Sequence, residues 1–350
     1  MKINELLKQT SEWLKGTGAH SDIVMSSRIR LARNLSKLPF SHWASKRDRA
    51  QNLSLIKDAI SKTTYLKKSN YVDMNILNDL DKTFLVERHL ISREHAVGAD
   101  SKGLVFDDKE IIAIMINEED HLRIQVMQSG FNLTEAWRVV DRIDSELAKK
   151  LVYAYSPRWG YLTACPTNIG TGLRASVMLH LPALIMTKQI NRILHAVTKL
   201  GVAVRGLYGE GTEAQGNFFQ FSNQVTLGRA ETDLIDNLER IINQVVSRER
   251  NARKGLLIHR REELNDKIWR AYGILKSAYI VTSAETIALL SIIRLGVDLD
   301  IIKDIDRKLL NELFILTQPA HLQKMEKRAL SSSERDIKRA SLIRNKIGGK

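Results

Sequence analysis

The order of hydrophobic and polar positions predicts strands and helices up to about residue 230 and helices alone after it. Apolar residues that alternate with polar ones, or run unbroken, indicate strands, whereas apolar residues every three to four positions indicate helices. The predicted strands are 22–36, 110–117, 121–128, 202–207 and 217–227. The predicted helices in the same part are 1–16, 46–60, 75–88, 132–151 and 187–200.

Two local signals sharpen the helix boundaries. Asn132 with Glu135 three residues later is typical of a capping box at a helix start, and Gly201 of a helix end. The later helices are predicted at 230–250, 259–278, 283–296, 299–315 and 320–345. We therefore expect two domains, a mixed α/β domain over 1–250 and an all-helical domain over 251–350.

Composition indicates anionic partners and a cytoplasmic location. The 350 residues include 54 Lys and Arg against 40 Asp and Glu, a net charge of +14, and the last hundred residues hold 20 against 12. Such an excess is typical of proteins that bind nucleotides, nucleic acid or acidic proteins. The single cysteine, Cys165, excludes an internal disulfide framework. Neither a signal peptide nor a run of about 18 to 20 apolar residues is present, so we expect a cytoplasmic protein without a membrane span.

Several common nucleotide and metal motifs are excluded. Gly201 and Gly206 have the spacing of a phosphate-binding loop, but Leu207 and Tyr208 follow where lysine and a hydroxyl residue are needed. The glycines from 209 onward precede a predicted strand, whereas a dinucleotide site needs a helix there. His-Arg-Asp and Asp-Phe-Gly are absent, which argues against eukaryotic-type protein kinases. No further metal ligands cluster near the histidines at 89 and 95, so we expect no zinc site.

Arginines in four separate segments remain as candidate chemistry. The segments are 26–30, 117–123, 165–176 and 205–210. A guanidinium is always charged, and its planar fork of donors matches phosphate oxygens. Taken singly, these segments are ordinary: an acidic turn after a strand, a small buried cysteine and a glycine-rich turn. Taken together, they predict a triphosphate site that uses neither a glycine-rich loop nor a lysine.

The four segments, in this order, resemble the ATP:guanidino phosphotransferases, or phosphagen kinases. The matching sequences are Ser-Arg-Ile-Arg, Asn-Glu-Glu-Asp-His-Leu-Arg, Cys-Pro-Thr-Asn-Ile-Gly-Thr with Arg-Ala-Ser, and Arg-Gly-Leu-Tyr-Gly-Glu. The resemblance covers about residues 22–250 and is specific, because four long motifs keep the family's order. It implies an α+β fold with a mainly antiparallel sheet flanked by helices, followed by an all-helical carboxyl-terminal domain.

Within the family, the chain is similar to the bacterial protein-arginine kinases of the McsB type. Classical phosphagen kinases have a helical domain before the Ser-Arg-x-Arg motif, but here Arg28 lies close to the start of the chain. A basic helical region follows the catalytic part instead. The tail segment 335–340 resembles that branch's phosphoarginine-sensing motif, and the resemblance assigns this role to Arg335, Asp336, Arg339 and Ala340. Read by itself, the segment is a solvated helix face.

The resemblance implies which residues hold the nucleotide. Five arginines would bind the ATP phosphates, His89 would lie near the base, and Mg²⁺ would be held by the phosphates rather than by a protein metal site. The residues implied to contact ATP are Ser27, Arg28, Ile29, Arg30, His89, Arg123, Arg174, Ala175, Ser176, Val177, Met178, Arg205, Gly206, Leu207, Tyr208 and Gly209.

Three further residues are implied to act on the acceptor guanidinium. Glu119 is expected to be the main general base, Glu210 its partner, and Cys165 a thiolate that orients the guanidinium without forming a covalent bond. A carboxylate pairs with a guanidinium through two hydrogen bonds, which aligns the attacking nitrogen. Tyr208 departs from the second loop arginine of kinases that act on free arginine, which leaves open how charge is balanced there.

We therefore expect a protein-arginine kinase that marks proteins for degradation and regulates a stress-response repressor. The alternatives are a kinase of free L-arginine and a catalytically silent adaptor that binds through its basic tail. The resemblance also implies an activating adaptor, a Clp-type unfoldase, a heat-shock repressor as substrate and a homodimer. It implies neither a membrane partner nor direct nucleic-acid binding.

Overall fold

The computed structural model describes residues 3–98, 100–206 and 215–348. Its strands are β1 (Val24–Arg33), β2 (Asn70–Asp73), β3 (Gly103–Phe106), β4 (Ile112–Ile116), β5 (Leu122–Ser129), β6 (Tyr155–Ser156), β7 (Gly160–Tyr161), β8 (Leu173–His180), β9 (Val202–Gly206) and β10 (Phe218–Asn223). Eight of them form one antiparallel sheet in the order β2-β3-β4-β5-β1-β8-β10-β9, and β6 and β7 form a separate hairpin.

The α-helices flank this sheet and make up the carboxyl-terminal region. They are α1 (Lys46–Ser61), α2 (Asp79–Glu87), α3 (Arg93–Ala96), α4 (Leu133–Ala148), α5 (Pro182–Met186), α6 (Ile190–Lys199), α7 (Glu231–His259), α8 (Arg261–Ser277), α9 (Ser283–Asp298), α10 (Arg307–Leu316), α11 (Pro319–Glu326) and α12 (Ser332–Ile347). Short 3₁₀ helices lie at Ile3–Lys8, Glu12–Leu14, Met74–Ile76, Pro166–Asn168 and Gln215–Asn217. The expected α+β architecture with an antiparallel sheet and a helical carboxyl-terminal region is confirmed.

The central strands alternate between a core face and a polar face, because successive side chains of a strand point to opposite sides. Ile29 and Leu31 of β1 are fully buried in the main hydrophobic core, against which α4 and α7 pack. Arg28 and Arg30, which alternate with them, lie on the other face. The core helices therefore leave one side of the central strands available for polar chemistry.

The carboxyl-terminal helices are joined to the sheet by a buried ion network. Asp298 of α9 accepts a hydrogen bond of 2.6 Å from Nε of Arg307 in α10. Arg294 of α9 donates to the carbonyl of Ser21 at 2.9 Å, just before β1. Charges buried in this way need such partners, so the network fixes α9 and α10 against the start of β1.

Some predicted boundaries differ from the structure. Residues 1–16 were expected to form one helix, but their described part contains two short 3₁₀ helices. The capping box at α4 is wrong, because the Asn132 side chain donates to the carbonyl of Ser129 and caps no helical amide. The expected helix 299–315 begins only at Arg307, where Asp306 accepts from the amide of Leu309 and caps it. The division at residue 250 falls inside α7, and the division into two domains stays a prediction.

Candidate functional site

The arginines of three sequence segments are neighbours on the polar face of the sheet. Arg30 lies opposite Arg174 of β8 in the register of the two strands, and Arg28 lies opposite Ser176. On the other side of β1, Arg123 of β5 is paired with Ala32. Because cross-strand partners lie close together, segments almost 150 residues apart in sequence contribute to one cationic surface.

Neighbouring polar side chains hold two of these arginines in place. Arg28 donates to Gln220 Oε1 at 2.8 Å and, with a longer contact of 3.4 Å, to Ser176 Oγ. Arg174 donates to Ser222 Oγ at 3.3 Å. Gln220 and Ser222 are two residues apart in β10 and lie on the same face of the sheet. Their neutral side chains orient the two guanidinium groups without neutralising them.

The arginines strongly perturb one another. Burial, together with the charges of Arg123 and Arg174, lowers the pKa of Arg28 to about 10. The same causes, with the charge of Arg28 added, hold the pKa of Arg30 well below its usual value. The Nε atoms of Arg30 and Arg174 are buried with no hydrogen-bond partner among the described residues. Unpaired donors and crowded positive charge are the features of a site built for a polyanion such as a triphosphate.

An arginine cleft of about 270 Å³ brings the predicted chemistry together. We use this name for the cavity lined by Arg30, Arg123, Arg174, Arg205, Glu119 and Cys165, with their neighbours. The side chain of Arg205, on the edge strand β9, is exposed and its strand position is opposite Gln220. Four of the five predicted phosphate arginines, the predicted base and the predicted cysteine therefore line a single cavity.

Some side chains of the segment 117–121 stabilise the turn after β4, and others line the arginine cleft. Asn117 adopts a left-handed turn with φ of 59° and donates to the carbonyls of Arg49 and Ser101. His121 accepts from the amide of Leu35 through Nδ1 at 3.0 Å, and its Nε2 lies 2.9 Å from the carbonyl of Pro39. These two residues hold the turn after β4 in position.

The two glutamates of this segment have different roles. The carboxylate of Glu118 is nearly buried and accepts two hydrogen bonds from Arg123, at 2.5 and 2.6 Å, and one from Ser92. Although burial opposes ionisation, Arg123 and the hydrogen bonds lower the pKa of Glu118 overall. Glu119 is exposed at the cleft, but its carboxyl group is still partly shielded from water. This partial burial, together with the charges of Asp120 and Glu118, raises the pKa of Glu119. A carboxylate with a raised pKa is a stronger base, as a general base requires.

Asp120 connects the glutamates to the cysteine segment. Its Oδ1 accepts from the amide of Ala164 at 2.7 Å and from Asn34 Nδ2 at 2.6 Å. Cys165 follows directly, and its Sγ lies 3.0 Å from Thr167 Oγ1. One buried carboxylate therefore sets the position of the thiol relative to Glu119.

An apolar pocket adjoins the arginine cleft. We define it by Trp13, Met127, Met178, Phe218, Phe314 and Ile315, and it also contains His89 and Arg28. The His89 ring packs edge-on against Trp13, with ring centroids 5.3 Å apart. Burial and the nearby charges of Arg28 and His321 lower the pKa of His89 to about 4, so the ring is neutral at pH 7. A flat, apolar heterocycle such as a nucleotide base fits this environment, next to the arginines.

Four residues implied to contact ATP have side chains outside these cavities. Ile29, Ala175 and Val177 are fully buried in the core on the opposite sheet face. The Ser27 hydroxyl donates to the carbonyl of Gly130 and accepts from an amide, so it joins β1 to the turn before α4. Any contact of these residues with a nucleotide would have to use backbone atoms. Of the predicted loop, Gly206 ends β9, and Leu207, Tyr208, Gly209 and Glu210 lie outside the described residues.

The structure adds residues of the site that the sequence analysis does not indicate. Gln220 and Ser222 alternate with Phe219 and Phe221 in β10, a polar–apolar pattern that would have placed them on the arginine face. Trp13 and Phe314 had no such signal, because their contribution depends on how the chain ends pack against the sheet. No group of three or more His, Cys, Asp or Glu side chains within 3–98, 100–206 and 215–348 is arranged to hold a metal ion.

The tail motif is only partly available for a ligand. Arg339 is buried and donates to the carbonyls of Thr317 and Val281, each at 2.9 Å, and to the carboxylate of Asp336. Ala340 is also buried. Arg335 is partly exposed and donates to the carbonyl of Leu330 at 2.9 Å. Arg339 and Ala340 thus attach α12 to the preceding helices, whereas Arg335 and Asp336 reach the surface.

No described helix combines the length and the apolar composition that crossing a membrane requires.

Two family models match consecutive parts of the chain. The pattern of the ATP:guanido phosphotransferase C-terminal catalytic domain matches residues 52–252, and that of the protein-arginine kinase McsB C-terminal domain matches residues 261–349. A protein-arginine kinase of Halothermothrix orenii is 48% identical over 99% of this chain and 99% of its own length. The protein-arginine kinase of Bacillus subtilis is 45% identical over 96% of this chain and 93% of its own.

Solved structures of related kinases share the fold. A duplicated taurocyamine kinase from Schistosoma mansoni, with bound transition-state-analogue components, superposes with a TM-score of 0.60 at 27% identity, over 65% of this chain and 33% of that one. The crystal structure of a lombricine kinase gives a TM-score of 0.60 at 26% identity, over 72% of this chain and 76% of that one.

Proposed function

Because this chain belongs to the ATP:guanido phosphotransferase family, we propose that it is a protein-arginine kinase, which transfers the γ-phosphoryl group of ATP to arginine side chains of proteins. The observation that carries the proposal is the arginine cleft, in which a cluster of cations and a carboxylate with a raised pKa line the same cavity. Phosphoryl transfer needs positioning and charge neutralisation more than covalent chemistry from the protein.

ATP is proposed to lie across the apolar pocket and the arginine cleft. The base enters the pocket beside the neutral His89 ring, and Arg28 lies at the transition between the two cavities. The phosphates then meet Arg30, Arg123 and Arg174, whose unpaired or crowded guanidinium groups gain partners. Mg²⁺ bound to the ATP phosphates would neutralise part of their charge. The γ-phosphoryl group reaches the end of the cleft where Glu119 is exposed.

The acceptor guanidinium must lose a proton while it attacks. Its pKa of about 12.5 to 13.8 means that deprotonation at pH 7 costs roughly 7 to 9 kcal/mol without a base. One guanidinium nitrogen forms a bond to the γ-phosphorus, the bond from phosphorus to the β–γ bridging oxygen breaks, and Glu119 accepts the proton. We propose Glu210 as the second carboxylate, and the Cys165 sulfur as the group that orients the guanidinium from the side. Thr167 and Asp120 hold that sulfur in place.

An arginine within a protein suits this acceptor site. Glu119 lines both the arginine cleft and a second open cavity of about 550 Å³, which gives a polypeptide access to the base. Relatives of similar length at 45 to 48% identity are named protein-arginine kinases.

Further parts of the proposal rest on the family resemblance. We propose that modified proteins are directed to degradation by a Clp-type unfoldase, that a heat-shock repressor is one substrate, and that an adaptor activates the enzyme in the cytoplasm. We also propose that the chain forms a homodimer and that its tail binds phosphoarginine. Of the four residues predicted to sense phosphoarginine, Arg335 and Asp336 are partly exposed, whereas Arg339 and Ala340 are buried.

The central test is mass spectrometry under non-acidic conditions on an arginine-containing protein incubated with ATP, Mg²⁺ and this enzyme. We expect acid-labile phosphoarginine with the unaltered chain and a loss of 10²-fold to 10⁴-fold in rate for Glu119→Gln, as is usual for a removed general base. Glu262→Gln, an exposed carboxylate on α8, serves as the matched control. Labelling of free L-arginine without labelling of protein would favour the free-arginine kinase, and labelling unaffected by Glu119→Gln would remove this residue from the mechanism.

A further inference from the structure

The second cavity beside Glu119 has its own cationic recognition groups. We call it the side groove and define it by Ser41, Arg49, Asp100, Lys102, Glu119 and Ala164, which contribute to its lining. A cube of about 550 Å³ has an edge of about 8 Å, which an extended polypeptide crosses in two to three residues. The side groove is therefore large enough for the residues next to an acceptor arginine whose guanidinium lies at Glu119.

Most charges of the side groove already have partners. Lys102 donates to the carbonyls of Glu94, His95 and Val97, so it closes the turn after α3. Asp100 forms an exposed ion pair with Lys46 at 3.3 Å. These groups shape the side groove, but their hydrogen-bonding capacity is largely used within the chain.

Arg49 differs, because its guanidinium forms no hydrogen bond or ion pair with the described residues. Its Nε atom is buried and lacks a partner in that part of the chain. The backbone carbonyl of Arg49 accepts from Asn117 Nδ2 at 2.8 Å. Asn117 begins the turn that presents Glu119, so the first turn of α1 is fixed relative to the base. The backbone that carries this unpaired cation is thus fixed beside the acceptor site.

Ser41 provides a second unpaired group in the same cavity. The residue is only 7% exposed, and its Oγ has no hydrogen-bond partner among the described residues. Buried hydroxyl groups are normally hydrogen-bonded. A ligand oxygen in the side groove would therefore find one neutral and one charged donor. A carboxylate matches the fork of an arginine through two parallel hydrogen bonds, which is stronger than a bond to a neutral carbonyl.

We propose that Arg49, assisted by Ser41, binds an acidic side chain of the acceptor protein close to the acceptor arginine. This inference rests on the proposed protein-arginine kinase activity and adds a sequence preference to it. The enzyme then favours arginines with Asp or Glu about two residues away. The pairing acts on binding of the acceptor rather than on transfer of the phosphoryl group, because Arg49 lies outside the arginine cleft.

The test compares two peptides that are identical except at the positions two residues before and after their single arginine. One peptide has Glu at both positions and the other has Gln. With the unaltered enzyme we expect a KM about tenfold lower for the Glu peptide, the effect of one charge-assisted pair. This comparison needs no variant, so a folding defect cannot obscure it. Equal KM values for the two peptides would overturn the proposal.

Variants of α1 then assign the preference to one residue. Arg49→Gln should raise the KM for the Glu peptide about tenfold and make the two peptides equal, whereas Arg49→Lys should keep part of the preference. Arg47→Gln, an exposed residue of the same helix turn, is the matched control and should keep the full preference. A preference that survives in Arg49→Gln refutes the assignment.

The outcomes separate this inference from the proposed function. If both peptides are phosphorylated equally well, the kinase activity stands and the carboxylate subsite fails. If neither peptide is phosphorylated while free L-arginine is, the proposed function itself fails. If Arg49→Gln raises the KM only for free L-arginine, the bound carboxylate is that of the amino acid, and the preference for flanking acidic residues is refuted.

Discussion

Replacing Asp120 tests whether a single buried carboxylate positions the cysteine segment. In Asp120→Ala, the amide of Ala164 loses its acceptor at 2.7 Å, and Asn34 Nδ2 loses one at 2.6 Å. A hydrogen bond to a charged group contributes about 1.5 to 3 kcal/mol to stability, so losing both costs about 3 to 6 kcal/mol. Asn34 Nδ2 keeps a contact of 3.1 Å with the carbonyl of Leu162, which places the loss near the lower value.

Asp120→Asn is the informative counterpart. Its side-chain carbonyl can accept from both donors, so we expect a loss of only about 1 to 2 kcal/mol in the free energy of unfolding. It also removes a negative charge that raises the pKa of Glu119. The acidic limb of the activity profile should therefore move to lower pH in Asp120→Asn, while the rate near neutral pH changes little.

Urea unfolding and phosphorylation kinetics on a protein acceptor measure both effects. We expect a fall in kcat of about 10²-fold for Asp120→Ala, because a displacement of about 1 Å at reacting groups has that effect. Asp141→Ala, an exposed residue of α4, controls for the loss of a carboxylate elsewhere. If Asp120→Ala kept the stability and the kcat of the unaltered chain, Asp120 would not be what positions Cys165.

Two further predictions concern the nucleotide and the base. Phe314→Ala removes one wall of the apolar pocket and an edge-on contact with Phe218, whose ring centroid lies 5.0 Å away. We therefore expect the KM for ATP to rise about tenfold, with a small change in kcat. The control Ile280→Ala, at an exposed site, should change neither value. Activity requires ionised Glu119, and a raised pKa means that activity is lost, as the pH falls, at a pH above the usual 4.5 of a glutamate. A profile of kcat/KM that stays flat to pH 4.5 would contradict this role.

Strand alternation explains why much of the site was predictable from sequence. Arg28 and Arg30 are two residues apart in a predicted strand, so both had to lie on one face, and β1 places them there. The same rule predicts that the side chain of Ile29 lies in the core and not at the nucleotide, as the structure has it. The sequence analysis predicts no strand at β8, because the start of this strand forms part of the arginine motif over 165–176. Without that strand, the pairing of Arg30 with Arg174 could not be derived.

Other parts of the site had no local signal. The role of Asp120 depends on the cysteine segment, 45 residues later, returning beside β5. The apolar pocket depends on Trp13 and Phe314, which lie near opposite ends of the chain and meet only when the carboxyl-terminal helices pack on the sheet. Such contacts result from tertiary packing, which neither periodicity nor residue spacing encodes.

The contribution of α10 to the apolar pocket has a consequence for biosynthesis. Phe314 is translated 136 codons after Met178, the last pocket residue of β8. The carbonyl of Thr317 is then bound by Arg339, near the end of the chain. A nascent polypeptide on the ribosome therefore lacks this wall until its final helices emerge. Ribosome-bound chains that end before residue 307 lack Phe314 and Ile315, and we expect them to bind an ATP analogue more weakly than the full chain does.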